Sequence, residues 1–142
     1  MKTGVYPCWE NQFQIETGSD VMSPIADCES FSVSIDNGVE EWTPFDTEGW
    51  KRRLMTAKGI TISVSGKRNV GDTGNDAVAA LLFKNGRDSE EKFQWTFPDG
   101  TVVKFVNAVI NVKNVSAGDS TGVAPLEFDV MSNGKPEITP AV

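Results

Sequence analysis

Between Phe93 and Pro136 the chain alternates apolar and polar residues in three stretches, a pattern that antiparallel β-structure accommodates and a helix does not. Phe93, Trp95 and Phe97 are separated by Gln94 and Thr96, giving a strand with one dry face. Pro98-Asp99-Gly100 supplies a reversal, since proline presets a negative φ and glycine takes the positive φ of a tight turn without a Cβ clash. In the β-branched run from Val102 to Val115 the apolar positions change parity, from Val103 and Phe105 to Ala108, Ile110 and Val112. That change predicts a bulge near Val106-Asn107. Leu126, Phe128 and Val130, spaced by Glu127 and Asp129, form a third strand that ends at Asn133-Gly134-Lys135-Pro136. The meander predicts a core of Phe93, Trp95, Phe97, Leu126, Phe128 and Val130.

The same alternation marks Phe13 and Ile15, then Phe31, Val33 and Ile35, then Ile60, Ile62 and Val64. Asn37-Gly38 reads as a turn. Residues 39–59, with Trp42, Phe45 and Trp50, are too irregular for a strand and too apolar for a disordered loop, so they call for a function or an unseen element. One helix is predicted over Thr73 to Asn85, capped by Thr73 with Asp76 three residues on, striped by Ala77, Val78, Leu81 and Leu82, and stopped at Gly86. The expected domain is 1–142, mainly β with one helix, with a loose tail at 137–142.

Composition narrows the chemistry. There is no histidine, which removes imidazole catalysis and imidazole metal ligation. No phosphate-cradling glycine motif occurs, and Gly71-Asp72-Thr73-Gly74-Asn75-Asp76 lacks the alternate-oxygen spacing of a calcium loop, so it reads as loop plus helix cap. Carboxylates are plentiful without a convergent set. The expectation is a chain without catalytic residues, cofactor or metal. No stretch approaches the ~20 apolar residues of a membrane span, and Met1-Lys2-Thr3-Gly4 opens no signal peptide, so a cytosolic origin without membrane contact is expected. In that setting Cys8 and Cys28 are expected as a pair of buried thiols; the base nearest Cys8 in sequence is Lys2.

Charge is unevenly spread. The first fifty residues hold ten acids against one base, whereas residues 51–68 hold six bases and no acid. Either neighbouring strands neutralise one another, or the basic segment of one copy meets the acidic face of another.

Taken in order, Trp42-Thr43-Pro44-Phe45-Asp46 with Gly49-Trp50, then Ser65-Gly66-Lys67-Arg68-Asn69-Val70-Gly71-Asp72-Thr73-Gly74-Asn75-Asp76, Trp95-Thr96-Phe97-Pro98-Asp99-Gly100, and Leu126-Glu127-Phe128-Asp129-Val130 with Gly134-Lys135-Pro136 resemble the major tail tube proteins of long-tailed bacteriophages. The resemblance implies two packed antiparallel β-sheets, a sandwich or barrel, flanked by one helix. It further implies a structural subunit that forms hexameric rings, stacked into a tube that conducts double-stranded DNA. Tape-measure, tail-terminator and tail-tip proteins would be its partners, and the virion tail, assembled in the host cytoplasm, its location. The tubes of type VI secretion systems and contractile bacteriocins share that fold, and a contractile injection or bacteriocin-like system is an alternative setting.

Two sets of residues follow. Residues 39–59 fall where tail tube proteins extend a hairpin onto the next ring, so Trp42, Phe45, Trp50, Lys51, Arg52 and Arg53 are candidate inter-ring contacts, aromatic anchors oriented by charge. Ser63, Ser65, Thr96, Glu127 and Asp129 are candidate lumen residues, because a polar, mildly acidic wall passes DNA without the phosphate neutralisation that would hold it. A carbohydrate-binding sandwich would instead present Trp9, Trp42 or Trp50 as open sugar platforms.

Overall fold

The computed structural model describes residues 3–141; Lys2, the base expected nearest Cys8, lies outside them. The strands are β1 (Gln12–Gly18), β2 (Val21–Pro24), β3 (Cys28–Trp42), β4 (Arg52–Lys67), β5 (Glu90–Thr96), β6 (Val102–Val115), β7 (Pro125–Met131) and β8 (Glu137–Thr139), with helix α1 (Thr73–Ala79) between β4 and β5. All pairings are antiparallel.

The mainly β architecture with one helix is present, but the two expected sheets are one. The strands form a single unclosed sheet in the order β2-β1-β5-β6-β7-β4-β3, with β8 also on β6. Two packed leaves arise because β6 changes partners along its length: its first half pairs with β5 and β8, its second with β7. The predicted bulge sits inside the β5 ladder, shortly before β7 takes over at Val109. Glu91 faces Ala108 but Phe93 faces Phe105, leaving an extra residue at Val106-Asn107. A second slip follows, where Val112 faces Phe128 and Asn114 faces Glu127. Bulges bend and twist a strand, and here they fold the sheet onto itself.

The leaves close over a shared core. Phe93 on β5 meets Phe128 on β7, one strand away, with ring centroids 6.5 Å apart, and Phe13 on β1 meets Phe31 on β3 edge to face at 4.9 Å, although β1 and β3 lie near opposite ends of the sheet order. Phe93, Leu126, Phe128 and Val130 are buried as expected, while Trp95 and Phe97 pack against them half-buried. Ile15, Ile62 and Val64 are buried too; Val33 and Ile35, expected on a dry face, are exposed, Val33 because β3 is the last strand of the sheet and Ile35 because its pair Ile60 lies just beyond the cover of β7. The Pro98-Asp99-Gly100 turn forms as read: Gly100, at φ +96, donates to the Phe97 carbonyl at 3.0 Å and Thr101 N–H donates to the Asp99 carboxylate at 2.8 Å.

The helix is shorter than Thr73 to Asn85, and its cap is Asp72. The Asp72 carboxylate accepts from Asn75 N–H at 3.0 Å and from Ala26 N–H at 3.1 Å, so a distant contact selects it over Thr73. After Ala79 the hydrogen bonds tighten to three-residue spacing, Leu81 to Val78 and Leu82 to Ala79, which ends the helix. Gly86 takes the left-handed φ of +61 but opens a short 3-10 turn. Of residues 137–142, expected as a loose tail, Glu137–Thr139 form β8, which pairs with β6 past the break at Asn133-Gly134; Val142 lies outside the described residues.

Candidate functional site

β3 and β4 form one long hairpin, paired from Cys28 opposite Gly66 to Trp42 opposite Arg52. β7 covers β4 only from Thr61 to Lys67, so the remainder projects as a two-stranded ribbon, roughly 30 Å long at ~3.4 Å per residue. Residues 39–59 are therefore the outer ribbon and its turn. Asn37-Gly38, expected as a turn, lies in mid-strand next to a register slip at Gly38/Val39. Glycine fits that slip because a Cβ there would stand 3.0 Å from the Ala57 Cβ.

The tip is a built turn. Phe45–Thr47 makes a single 3-10 turn, followed by Glu48 and Gly49 at positive φ. The Thr47 hydroxyl lies 3.1 Å from the Pro44 carbonyl and 2.7 Å from that of Trp50, and Trp50 N–H donates to the Thr47 carbonyl at 3.0 Å. This order holds Phe45 and Trp50 in the open, at 108% and 78% exposure. Arg53 Nε donates to Glu41 at 2.8 Å and Lys51 approaches the same carboxylate at 3.6 Å. Arg53 foremost, then Lys51, holds the Glu41 carboxyl below its usual range. Arg52 lies over the Trp42 ring, 5.8 Å from its centroid. Trp42, Phe45, Trp50, Lys51, Arg52 and Arg53 thus share one tip, and the charge split of the sequence is met mainly across the hairpin, by these pairs and by Lys67 with Glu29 at 3.2 Å.

Of the candidate lumen residues, four adjoin. Ser32, Ser63, Asp129 and Asn111 form one cross-strand row over β3, β4, β7 and β6, and Ser30, Ser65, Glu127 and Asn114 form the next. Both rows lie on the face opposite the core. Lys113 Nζ stands 3.1 Å from Asp129, so this polar face is not purely acidic. Thr96 is elsewhere, paired with Gln12 and Val102 on the other leaf.

Two features had no place in the sequence reading. The first is a polar knot at the start of α1. Asn75, 0% exposed, accepts from Arg68 at 2.8 Å and from Asn69 N–H at 3.0 Å, and donates to the carbonyls of Ala26 at 3.1 Å and Lys67 at 3.0 Å. Arg68 also pairs with Asp76 at 2.7 Å, and with the Gly71 N–H it holds the Asp76 carboxyl below its usual range. The loop read as a non-metal cap is thus occupied by its own hydrogen bonds. Gly74 permits the close approach: a Cβ there would fall 2.1 Å from the Pro24 carbonyl oxygen. The glycines and amides of 66–76 were the available signal.

The second feature is a cleft of about 530 Å³ at the seam where the unclosed sheet brings β1 and β2 against the start of β3. Trp9, Phe13, Ile25 and Phe31 give it apolar walls, and Asp27 and Glu29 line it as well. The knot shapes one wall, since Asp72 and Asn75 grip the N–H and carbonyl of Ala26. Both cysteines line the cleft as free thiols, but Cys8 is exposed, not buried as expected, because it sits on the 3-10 turn Cys8–Glu10 ahead of β1; burial foremost, then Asp27 and Asp72, pushes the Cys28 thiol up to about 11. Trp9 is here while Trp42 and Trp50 belong to the ribbon, so the three tryptophans do not share a platform.

No family model and no curated protein matches the sequence. Among solved structures, the chain is similar to one from the tail of an empty GTA particle refined with C6 symmetry, with TM-score 0.76, 22% identity, and 96% of this chain and 100% of that one covered. It is similar to a chain of the native gene transfer agent virion, with TM-score 0.75, 19% identity and the same coverage, 96% and 100%. A chain from the sheath/tube terminator of an extracellular contractile injection system, PVC, aligns with TM-score 0.63 and 13% identity over 97% of this chain and 99% of that one. The fold is tail-tube-like.

Proposed function

We propose that this chain is a structural subunit of a tail tube, which associates with copies of itself into six-membered rings that stack into a hollow conduit for double-stranded DNA. The observation that carries this reading is the ribbon, whose ordered tip displays Phe45 and Trp50 to solvent with no partner surface in its own fold. A chain gains nothing by holding large aromatics outside its core unless another surface covers them. The C6 symmetry of the similar tail supports the ring number.

In this reading Trp42, Phe45, Trp50, Lys51, Arg52 and Arg53 join successive rings. The serine and carboxylate rows around Ser63, Ser65, Glu127 and Asp129 face the lumen, with Thr96 outside that patch. Tape-measure, terminator and tip proteins cap the tube in a virion tail assembled in the host cytoplasm. Negative-stain microscopy of the purified protein tests the proposal: rings or rods with sixfold averages are expected, and a monodisperse monomer at every concentration up to the solubility limit refutes it. The likeness to a tube terminator favours one second reading, a ring that caps a contractile tube, which would give rings that never stack.

A further inference from the structure

Building on the tube reading, we propose that the cleft between β1 and β3 is a socket for the ribbon tip of a second copy, so that copies join head to tail. Tip and cleft occupy opposite ends of the same strand: Cys28 to Phe31 line the cleft, and Trp42 adjoins the tip. A contact between two different ends of one molecule is not self-complementary. It repeats head to tail and, where the rotation between copies does not close a ring, grows an open filament instead of closing a pair. From Phe31 to Trp42 is about 37 Å at ~3.4 Å per residue, which sets the scale of the axial repeat.

The two surfaces also match in chemistry. The tip offers Phe45 and Trp50, rigid aromatics of the kind that anchor interfaces, and the cleft offers apolar walls in Trp9, Phe13, Ile25 and Phe31. Lys51 and Arg53 share one carboxylate, Glu41, whereas Arg52 has only the Trp42 face and no ion pair among the described residues. Among the described residues the cleft is lined by Asp27 and Glu29 and by no base, and Glu29 is already paired with Lys67 at 3.2 Å, which leaves Asp27 as the acid to meet Arg52. Asp27 is hydrogen-bonded to the neutral amide of Asn69 at 2.7 Å, so its charge is available to an incoming guanidinium. A second concavity, between β1 and α1, mixes Glu16, Asp88 and Glu91 with Lys84 and offers no comparable match.

Cys8 makes the contact testable, because it is exposed and lies in the cleft. The full-length double variant Cys28→Ala, Asp46→Cys carries one thiol in the socket and one on the tip. Polymerised protein is treated with a short bismaleimide, run on a denaturing gel and digested. The expected result is a ladder of dimers, trimers and higher species in which the peptide spanning position 46 is joined to the peptide containing Cys8. Thr43→Cys replaces Asp46→Cys if the latter does not polymerise. Tubes that give no ladder from either variant overturn the socket while leaving the tube reading intact, as does an equal ladder from Ser120→Cys in the remote loop before β7. Wild-type protein that forms no tubes removes the tube reading and the socket with it.

Discussion

Replacing Asn75 with alanine strips four hydrogen bonds from a fully buried position and leaves the carbonyls of Ala26 and Lys67 and the N–H of Asn69 without that partner. Arg68 keeps its contacts to Asp76 and to the Asn69 carbonyl, so the main cost falls on three backbone groups. A buried group left unpaired costs ~1–3 kcal/mol; taking the low end for this part-buried knot gives about 3–4 kcal/mol. For a chain of this size each kcal/mol lowers Tm by roughly 3 °C, so a drop of about 10 °C is expected by calorimetry or circular dichroism. Ser30→Ala, which removes an exposed hydroxyl pair with Ser65, serves as the control and should stay within ~0.5 kcal/mol. A drop for Asn75→Ala no larger than that of the control would refute the reasoning, since it would mean that water replaces the amide and that the knot does not bind α1 to the β2–β3 turn. The same variant should also disorder the cleft wall at Ala26–Cys28, read as faster amide exchange there.

Phe45→Ala should leave Tm unchanged, because the side chain buries nothing in its own fold, while abolishing tube growth; tubes of normal length from this variant would count against the role of the tip. Gly74→Val should yield little folded protein, since its Cβ would collide with the Pro24 carbonyl, a backbone atom; native-like solubility and Tm would contradict the packing described. The Asp76 carboxyl, lowered foremost by Arg68, contributes stability that is present above its ordinary value of 3.8 and is lost as pH falls through the folded value. Melting curves of wild type and Asp76→Asn should therefore separate near neutrality and draw together in acid, and a gap that persists undiminished at pH ~2 would argue against the ion pair. With its thiol pushed up to about 11, Cys28 should react with iodoacetamide at pH ~8 roughly 100-fold more slowly than an ordinary exposed thiol, as read by peptide mass spectrometry.

Wherever one face of a strand is dry and the other wet, the sequence carries its own register. Phe93, Phe128 and Val130 are buried where alternation placed them, and the parity change located the slip at Val106-Asn107. The outer ribbon carries no such pattern because both of its faces are exposed, so Arg52 to Gly59 looked irregular and the Asn37-Gly38 dipeptide looked like the reversal. The join of two expected sheets into one depends on β6 changing partners halfway, a long-range choice that no local period encodes. Asp72 displaces Thr73 as the cap for a similar reason, because it also holds Ala26, far away in sequence. The aromatic residues of 39–59 stood out in the sequence, but their place on a projecting hairpin came only from the resemblance, whereas the cleft is assembled from residues 8–14 and 24–31 and exists only once the sheet curls.

The ribbon also behaves as a ruler with discrete graduations. Its reach comes from paired residues outside the body, so adding one residue to each strand advances the tip by ~3.4 Å and turns its aromatic side to the opposite face. Adding two to each strand advances it by ~7 Å and restores the original facing. Insertions that keep Phe45 and Trp50 pointing the same way therefore change the reach only in such increments, and any lattice built on that tip inherits a stepped, not a continuous, choice of spacing.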